Sequence, residues 1–148
     1  MSDPGLPVLS DSEIAGLVEG RKDAAVTARV EAMGTDTVLA RAFATMAAGF
    51  LPERAVGASA VIQWELATPS GKRTWQVTVA DGTCSVAPGN AAVARVTLAL
   101  GVADFLRFMA GRLDGMRAFM TGRLRVSGDL MLAQAMQPWF SPPEIGSP

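Results

Sequence analysis

The chain of 148 residues suits a single domain, which at this length buries roughly 68–70% of its unfolded surface. A net charge of −1 supplies no basic field, so no nucleic acid is expected as a partner. Histidine and tyrosine are absent and Cys84 is the lone cysteine, which removes Ser/His/Asp catalysis, histidine metal ligation and any internal disulfide.

Residues 1–9 carry Pro4, Gly5 and Pro7 and read as a loose lead, without the basic and apolar regions of a signal peptide. Ser10 and Glu13 have the spacing of a capping box. It opens a short helix with Ile14, Leu17 and Val18 inward, ending at Gly20. A second helix, about Asp23 to Met33, sets Val26, Val30 and Met33 on one face, with Gly34 past its end. Residues 1–36 hold seven acids against three bases, a local charge of −4 that reads as a solvated helical face.

A third helix runs from Thr35-Asp36 to about Gly49, with Val38, Leu39, Ala42, Phe43, Met46 and Phe50 at the helical period. The longest apolar run, Ala42 to Leu51, contains Thr45 and Gly49 and stops at Pro52. It falls far short of the ~20 residues that span a bilayer, so no stable membrane insertion is expected. Three strands follow, Ala60–Leu66, Thr74–Ala80 and Thr83–Ala87, reversing at Ser70-Gly71 and Asp81-Gly82. Asp-Gly between β-rich runs is a strong hairpin signal, so this is an antiparallel meander. Ile62, Trp64 and Leu66 alternate with Val61, Gln63 and Glu65, and Trp75, Val77 and Val79 with Thr74, Gln76 and Thr78, giving each strand one apolar face to bury.

Arg95–Leu100 reads as a fourth strand and Ala103–Arg112 as an amphipathic helix with Phe105, Leu106 and Met109 inward. Met116–Met120 fits a helical turn and Leu124–Val126 a fifth strand. A last helix, capped by Ser127 or Asp129 and ending before Pro138, is apolar on nearly every face. Such a helix is wrapped by protein or lines something apolar. The order defines an α+β domain: about five strands in a mostly antiparallel sheet, covered by helices on one face.

The segments Val96-Thr-Leu-Ala-Leu, Ala103-Asp-Phe-Leu, Gly111-Arg-Leu and Phe119-Met-Thr-Gly-Arg-Leu-Arg-Val-Ser-Gly-Asp-Leu together resemble the sterol carrier protein-2 (SCP2, sterol-transfer) family. The Trp-containing strands and Asp81-Gly82 sit where that family has its early hairpins, and the likeness covers roughly residues 35–140. It implies an SCP2-like domain over 35–148, preceded by an N-terminal helical extension over 1–34. It also implies an apolar tunnel between sheet and helices for a fatty acyl chain, sterol or similar lipid. No cofactor, metal or catalytic residue is implied. Thr121 stands where the family often has a glutamine, and the C-terminal Glu-Ile-Gly-Ser-Pro is not a Ser-Lys-Leu type of peroxisomal signal.

Candidate lining residues come from the strands (Trp64, Trp75) and from the helix after the fourth strand (Phe105, Leu106, Met109). Others come from the turn before the last strand (Met116, Phe119, Met120, Thr121) and from the C-terminal stretch (Met131, Met136, Trp139, Phe140). The plain alternative is that these side chains are core, Trp64 and Trp75 above all, with Trp139 at a mouth. Methionine's flexible thioether suits an adaptable wall. Arg107, Arg112, Arg117, Arg123 and Arg125 form either a solvated surface or an attractor for a lipid carboxylate or phosphate.

At ~0.8 kcal/mol per buried CH₂, a 16-carbon tail offers on the order of 12 kcal/mol gross, against association costs of roughly 4–15 kcal/mol. The expected function is non-covalent carriage of an apolar ligand in the cytoplasm. Alternatives are an accessory or cyclase-like role on an apolar intermediate of secondary metabolism, and a partner-binding module with a filled cavity. The helices of residues 10–33 are a brace, a lid or a homodimer contact. An arginine-to-lysine ratio of 11 to 2 is a bias common in GC-rich bacterial genomes.

Overall fold

The computed structural model describes residues 10–91, 93–136 and 139–140. The expected loose lead over 1–9, the stop at Pro138 and the C-terminal Glu144–Pro148 lie outside them. The chain order is α1 (Asp11–Val18), α2 (Asp23–Met33), α3 (Thr35–Ala48), a 3₁₀ turn (Pro52–Arg54), β1 (Ala60–Thr68), β2 (Gly71–Ala80), β3 (Thr83–Pro88), β4 (Val96–Gly101), α4 (Val102–Met109), α5 (Gly115–Met120), β5 (Arg125–Gly128) and α6 (Leu130–Ala135).

The local signals act as their chemistry dictates. Ser10 Oγ accepts from the Glu13 backbone N–H (3.1 Å) and the Glu13 carboxylate accepts from the Ser10 N–H (2.9 Å), closing the capping box. Asp81 and Gly82 both take positive φ (53° and 74°), as a two-residue hairpin turn whose twist matches its strands requires. Asp129 caps α6, its Oδ1 accepting from the Leu132 N–H at 3.0 Å. Ser127 has no part in that cap and instead pairs with Thr97 inside β5.

The five strands form one sheet in the order β3-β2-β1-β4-β5. Pairing is antiparallel except between β1 and β4, which run parallel because the chain crosses from the β3 edge to the far side of β1 between β3 and β4. Ala60, Ile62, Trp64 and Leu66 of β1 and Val96, Leu98 and Leu100 of β4 are buried, while Val61, Gln63, Glu65, Thr97 and Ala99 between them are half-buried. Helices therefore cover one face. A single row crosses the sheet in register: Pro88 (β3), Trp75 (β2), Trp64 (β1), Leu98 (β4) and Val126 (β5).

Phe43 of α3 fills the half of the sheet built on β1 and β2. Its ring stacks on Trp75 (centroids 4.7 Å apart, 8° between planes) and on Phe105 of α4 (4.9 Å), and meets Trp64 edge-on at 6.4 Å. Ile14, Leu17 and Val18 of α1 and Val26 and Val30 of α2 join the same core, with α1 and α2 both packed on α4. Met33, assigned to the inner face of α2, is instead exposed.

The acidic N-terminal region is not merely a solvated face. Glu13 pairs with Arg41, Glu19 with Arg112, Asp36 with Arg73, and Asp23 with both Arg107 and Arg123. The sequence pattern hid this because the partners lie up to 100 positions away.

Candidate functional site

The half of the sheet beyond Trp64 carries smaller side chains, and the helices above it are short. A pocket of about 480 Å³ lies there, within the range of ordinary small-molecule sites. Its floor is the in-register row Trp64, Leu98 and Val126, with Leu100 beside it. Phe108 of α4, Met116 and Phe119 of α5, and Leu130, Ala133 and Met136 at α6 form the walls, with Leu113 and Leu124 closing the loops.

Burial separates a closed end from a mouth. Met136, Trp64, Leu98, Leu100 and Ala133 are buried, whereas Met116, Phe119 and Leu130 are exposed and ring the opening. Polar groups are few. Asp114 and Gln134 line the pocket and both are exposed. The Asp114 carboxylate caps α5, accepting from the Arg117 backbone N–H at 3.1 Å.

One buried polar atom is unpaired. Trp64 is 2% exposed, and its indole Nε1 has no hydrogen-bond partner among the described residues.

The elements around the pocket are fixed by charge as well as by packing. Asp104, buried on α4, accepts from Arg107 Nη1 (2.8 Å) and from Arg123 Nε (2.8 Å) and Nη2 (3.0 Å). Asp23 of α2 accepts from the same two arginines, at 2.6 Å from Arg107 and 2.8 Å from Arg123. Partial burial opposes ionisation of Asp23, but the hydrogen bond and charge of Arg107, then those of Arg123, outweigh it and hold the carboxyl below its usual range. The network ties α2, α4 and the turn before β5 into one unit. Arg107, Arg112 and Arg123 thus form ion pairs with acids of the chain, Arg107 partly buried and Arg112 and Arg123 still exposed to solvent.

Of the residues singled out in the sequence, Trp64, Met116, Phe119 and Met136 meet in the pocket wall. Phe105 and Leu106 are wholly buried in the core, and Met109 is buried with them. Trp75 is half-buried beneath Phe43, in a separate shallow groove with Asp36, Lys72 and Arg73. Met120 and Met131 point to solvent, 77% and 78% exposed, and Thr121 is an exposed turn residue whose Oγ1 donates to the Arg117 carbonyl at 2.9 Å. Trp139 does not sit at a mouth. It is buried, its carbonyl accepting from the Leu51 N–H at 2.7 Å, while Phe140 bridges to Phe50.

The last helix is likewise not wrapped on all sides. Ala133 and Met136 are buried and Leu132 half-buried, while Leu130, Met131, Gln134 and Ala135 are exposed. Sequence reasoning passed over Leu98, Leu100 and Val126 as wall residues. The alternation Val96, Leu98, Leu100 was the available signal for the first two.

A sheet roofed by helices that leave an apolar, few-donor pocket defines a small α+β domain with a cavity suited in size and lining to an apolar molecule. The chain belongs to the SCP-2 sterol transfer family, whose sequence profile matches residues 43–141. It is 37% identical to human sterol carrier protein 2 over 70 residues, 47% of this chain and 13% of that protein. It is 35% identical to mouse peroxisomal multifunctional enzyme type 2 over 83 residues, 54% of this chain and 11% of that enzyme. The chain thus spans only about an eighth of the length of these relatives.

Among solved structures it resembles sterol carrier protein 2 like 2 from Aedes aegypti (TM-score 0.59, 26% identity, 73% of this chain and 97% of that one). It also resembles apo sterol carrier protein 2 from Yarrowia lipolytica (TM-score 0.58, 25% identity, 67% and 86%). The sec-alkylsulfatase Pisa1 from Pseudomonas sp. shares the fold (TM-score 0.62, 18% identity, 80% and 18%). No helix among the described residues is long and apolar enough to cross a membrane.

Proposed function

We propose that this chain carries a single apolar molecule, such as a fatty acyl chain or a sterol-like lipid, non-covalently in the pocket between β1, β4, β5 and α4–α6. The observation that carries this reading is the pocket itself: about 480 Å³, with an aliphatic and aromatic floor and polar groups confined to its exposed parts. Such a wall selects by volume and shape, because apolar surface gains roughly the same free energy from any hydrocarbon it covers. The helices α1 and α2 serve this site as a brace, through their apolar side chains on α4 and the Asp23 ion pairs. The lone, partly buried thiol Cys84 suits a reducing cytoplasmic setting.

Native mass spectrometry of the purified protein with lipid extracts, alongside displacement of a fluorescent acyl probe, tests this reading. Stoichiometric adducts that displace the probe are the expected result. A folded protein that takes up neither lipid nor probe would sink it.

A further inference from the structure

We infer that the rim of the pocket is a membrane-docking surface, with α5 and α6 resting their exposed methionines in the headgroup layer of an anionic lipid bilayer and the mouth turned to the acyl chains. This takes the pocket as the cargo site proposed above and adds the surface through which cargo passes.

Eight large apolar side chains are exposed among the described residues, and five of them fall between residues 116 and 131. Met116, Phe119 and Leu130 ring the mouth itself. Met120 lies one turn after Met116 on the outer side of α5, away from the buried Ala118. Met131 lies one turn before Gln134, the residue of α6 that lines the pocket at its exposed end. The five thus collar one opening. Isolated apolar residues on a surface are ordinary, but a contiguous group of them marks a contact site.

Charge and the mouth together name the occupant. Residues 111–136 hold four arginines against two aspartates, in a chain of net charge −1. Both aspartates are engaged as helix caps, Asp114 on α5 and Asp129 on α6. Arg112 and Arg123 pair with acids of the helical layer, whereas Arg117 and Arg125 of the edge strand β5 have no acidic partner among the described residues. Arg117 stands on the flank of α5 beside the methionines, where its stem can lie along apolar chains while its guanidinium meets a lipid phosphate.

A protein partner on the same collar would cover the mouth and trap the cargo. A bilayer instead sets an acyl interior against the opening, so an insoluble molecule passes without entering water. Methionine's flexible thioether also suits contact with a fluid surface.

Flotation of the full chain with phosphatidylcholine vesicles, alone or mixed with an equal part of phosphatidylglycerol, measures docking. Displacement of a fluorescent acyl probe in vesicle-free solution measures the pocket separately. The native chain is expected to float with the mixed vesicles, about fivefold less with the neutral ones, and less again as salt rises. The double variant Met120→Gln, Met131→Gln is expected to weaken docking about tenfold or more, since two apolar side chains no longer enter the bilayer. Neither residue lines the pocket, so its probe affinity in solution is expected to hold. Arg117→Gln is expected to erase most of the preference for mixed vesicles.

A native chain that floats with neither vesicle overturns the inference, as does a double variant that docks like the native chain. Sedimentation equilibrium adds a third check. A dimer present in the native chain and lost in the double variant assigns the collar to a second copy and overturns the inference too. In each case probe binding leaves the carrier reading standing, whereas docking by a chain that takes no probe sinks that reading and keeps the surface.

Discussion

At the scale of single residues, backbone geometry and solvation give sharp expectations. Gly128 combines a φ of +100° with a near approach to β4, where an added Cβ would meet the Arg95 carbonyl oxygen at 2.5 Å. The obstacle is backbone and cannot swing away. Gly128→Ala is therefore expected to destabilise by about 3 kcal/mol, strain and overlap together. Gly122, at φ +80° with open space around it, should lose only about 1 kcal/mol on the same change. Paired urea denaturation curves check the difference, and equal losses would refute the role given to the Arg95 contact.

Cys84 is a second such case. Burial pushes its thiol up to about 11, so thiolate is scarce near neutrality. Iodoacetamide should modify the native protein slowly at pH 8 and the unfolded chain at the rate of a free thiol, as mass spectrometry of timed samples would reveal.

At the scale of elements, the four-charge network of Asp23, Asp104, Arg107 and Arg123 joins α2 and α4 to the turn before β5. Removing the buried member takes one of the two carboxylate partners from Arg107, itself only partly exposed. Asp104→Ala should cost about 3 kcal/mol, the low end for breaking a buried pair, because Asp23 still faces both guanidiniums. Acid should reach that junction through Asp23, and the caps of α1 and α6 as well. The Leu132 backbone N–H, ahead of Arg95, holds the Asp129 carboxyl low, and the Ser10 backbone N–H does the same for Glu13.

With Asp23, these groups have folded values below their unfolded 3.8 and 4.5. Their contribution is complete above those unfolded values and is lost as pH falls through the lower folded ones. Thermal melts should hold level from pH 7 to 5 and drop below about pH 4, with a shallower acid slope in Asp23→Asn.

The elements themselves were mostly legible beforehand, because the Ser10–Glu13 box, the Asp81-Gly82 turn and the alternation through Trp64 and Trp75 are local chemistry. The parallel pairing of β1 with β4 was not, since no local signal encodes which strand a returning chain will join. The cross-element ion pairs were invisible for the same reason. The site was half legible. Met116, Phe119 and Met136 stood out as bulky apolar residues, but Met120 and Met131 share that chemistry and face water. Hydrophobicity gave no direction where α5 and α6 are only six residues each, too short for a period to declare a face.

At the scale of the whole molecule, ligand binding and folding are one equilibrium. A lipid held only by the native state adds about 2.7 kcal/mol of stability at one hundred times its dissociation constant. A rise in melting temperature that scales with the logarithm of added lipid should therefore accompany binding. Leu98→Phe should abolish that rise, since the larger ring fills the floor of the pocket. The variant's own unliganded stability should change by less than about 1.5 kcal/mol, because the ring enters space the native side chains leave open. A Leu98→Phe protein that kept its full lipid-dependent rise would place the ligand elsewhere.

The row Pro88, Trp75, Trp64, Leu98, Val126 runs from ring-bearing to aliphatic across the sheet. Solid interior and hollow are therefore neighbours on one continuous ruler of side-chain size, with Trp64 as the mark between them. The capacity of such a protein is adjustable one notch at a time. Exchanging a single row member resizes the compartment, while the strand pairing beneath and the ion-paired helices above go on as before.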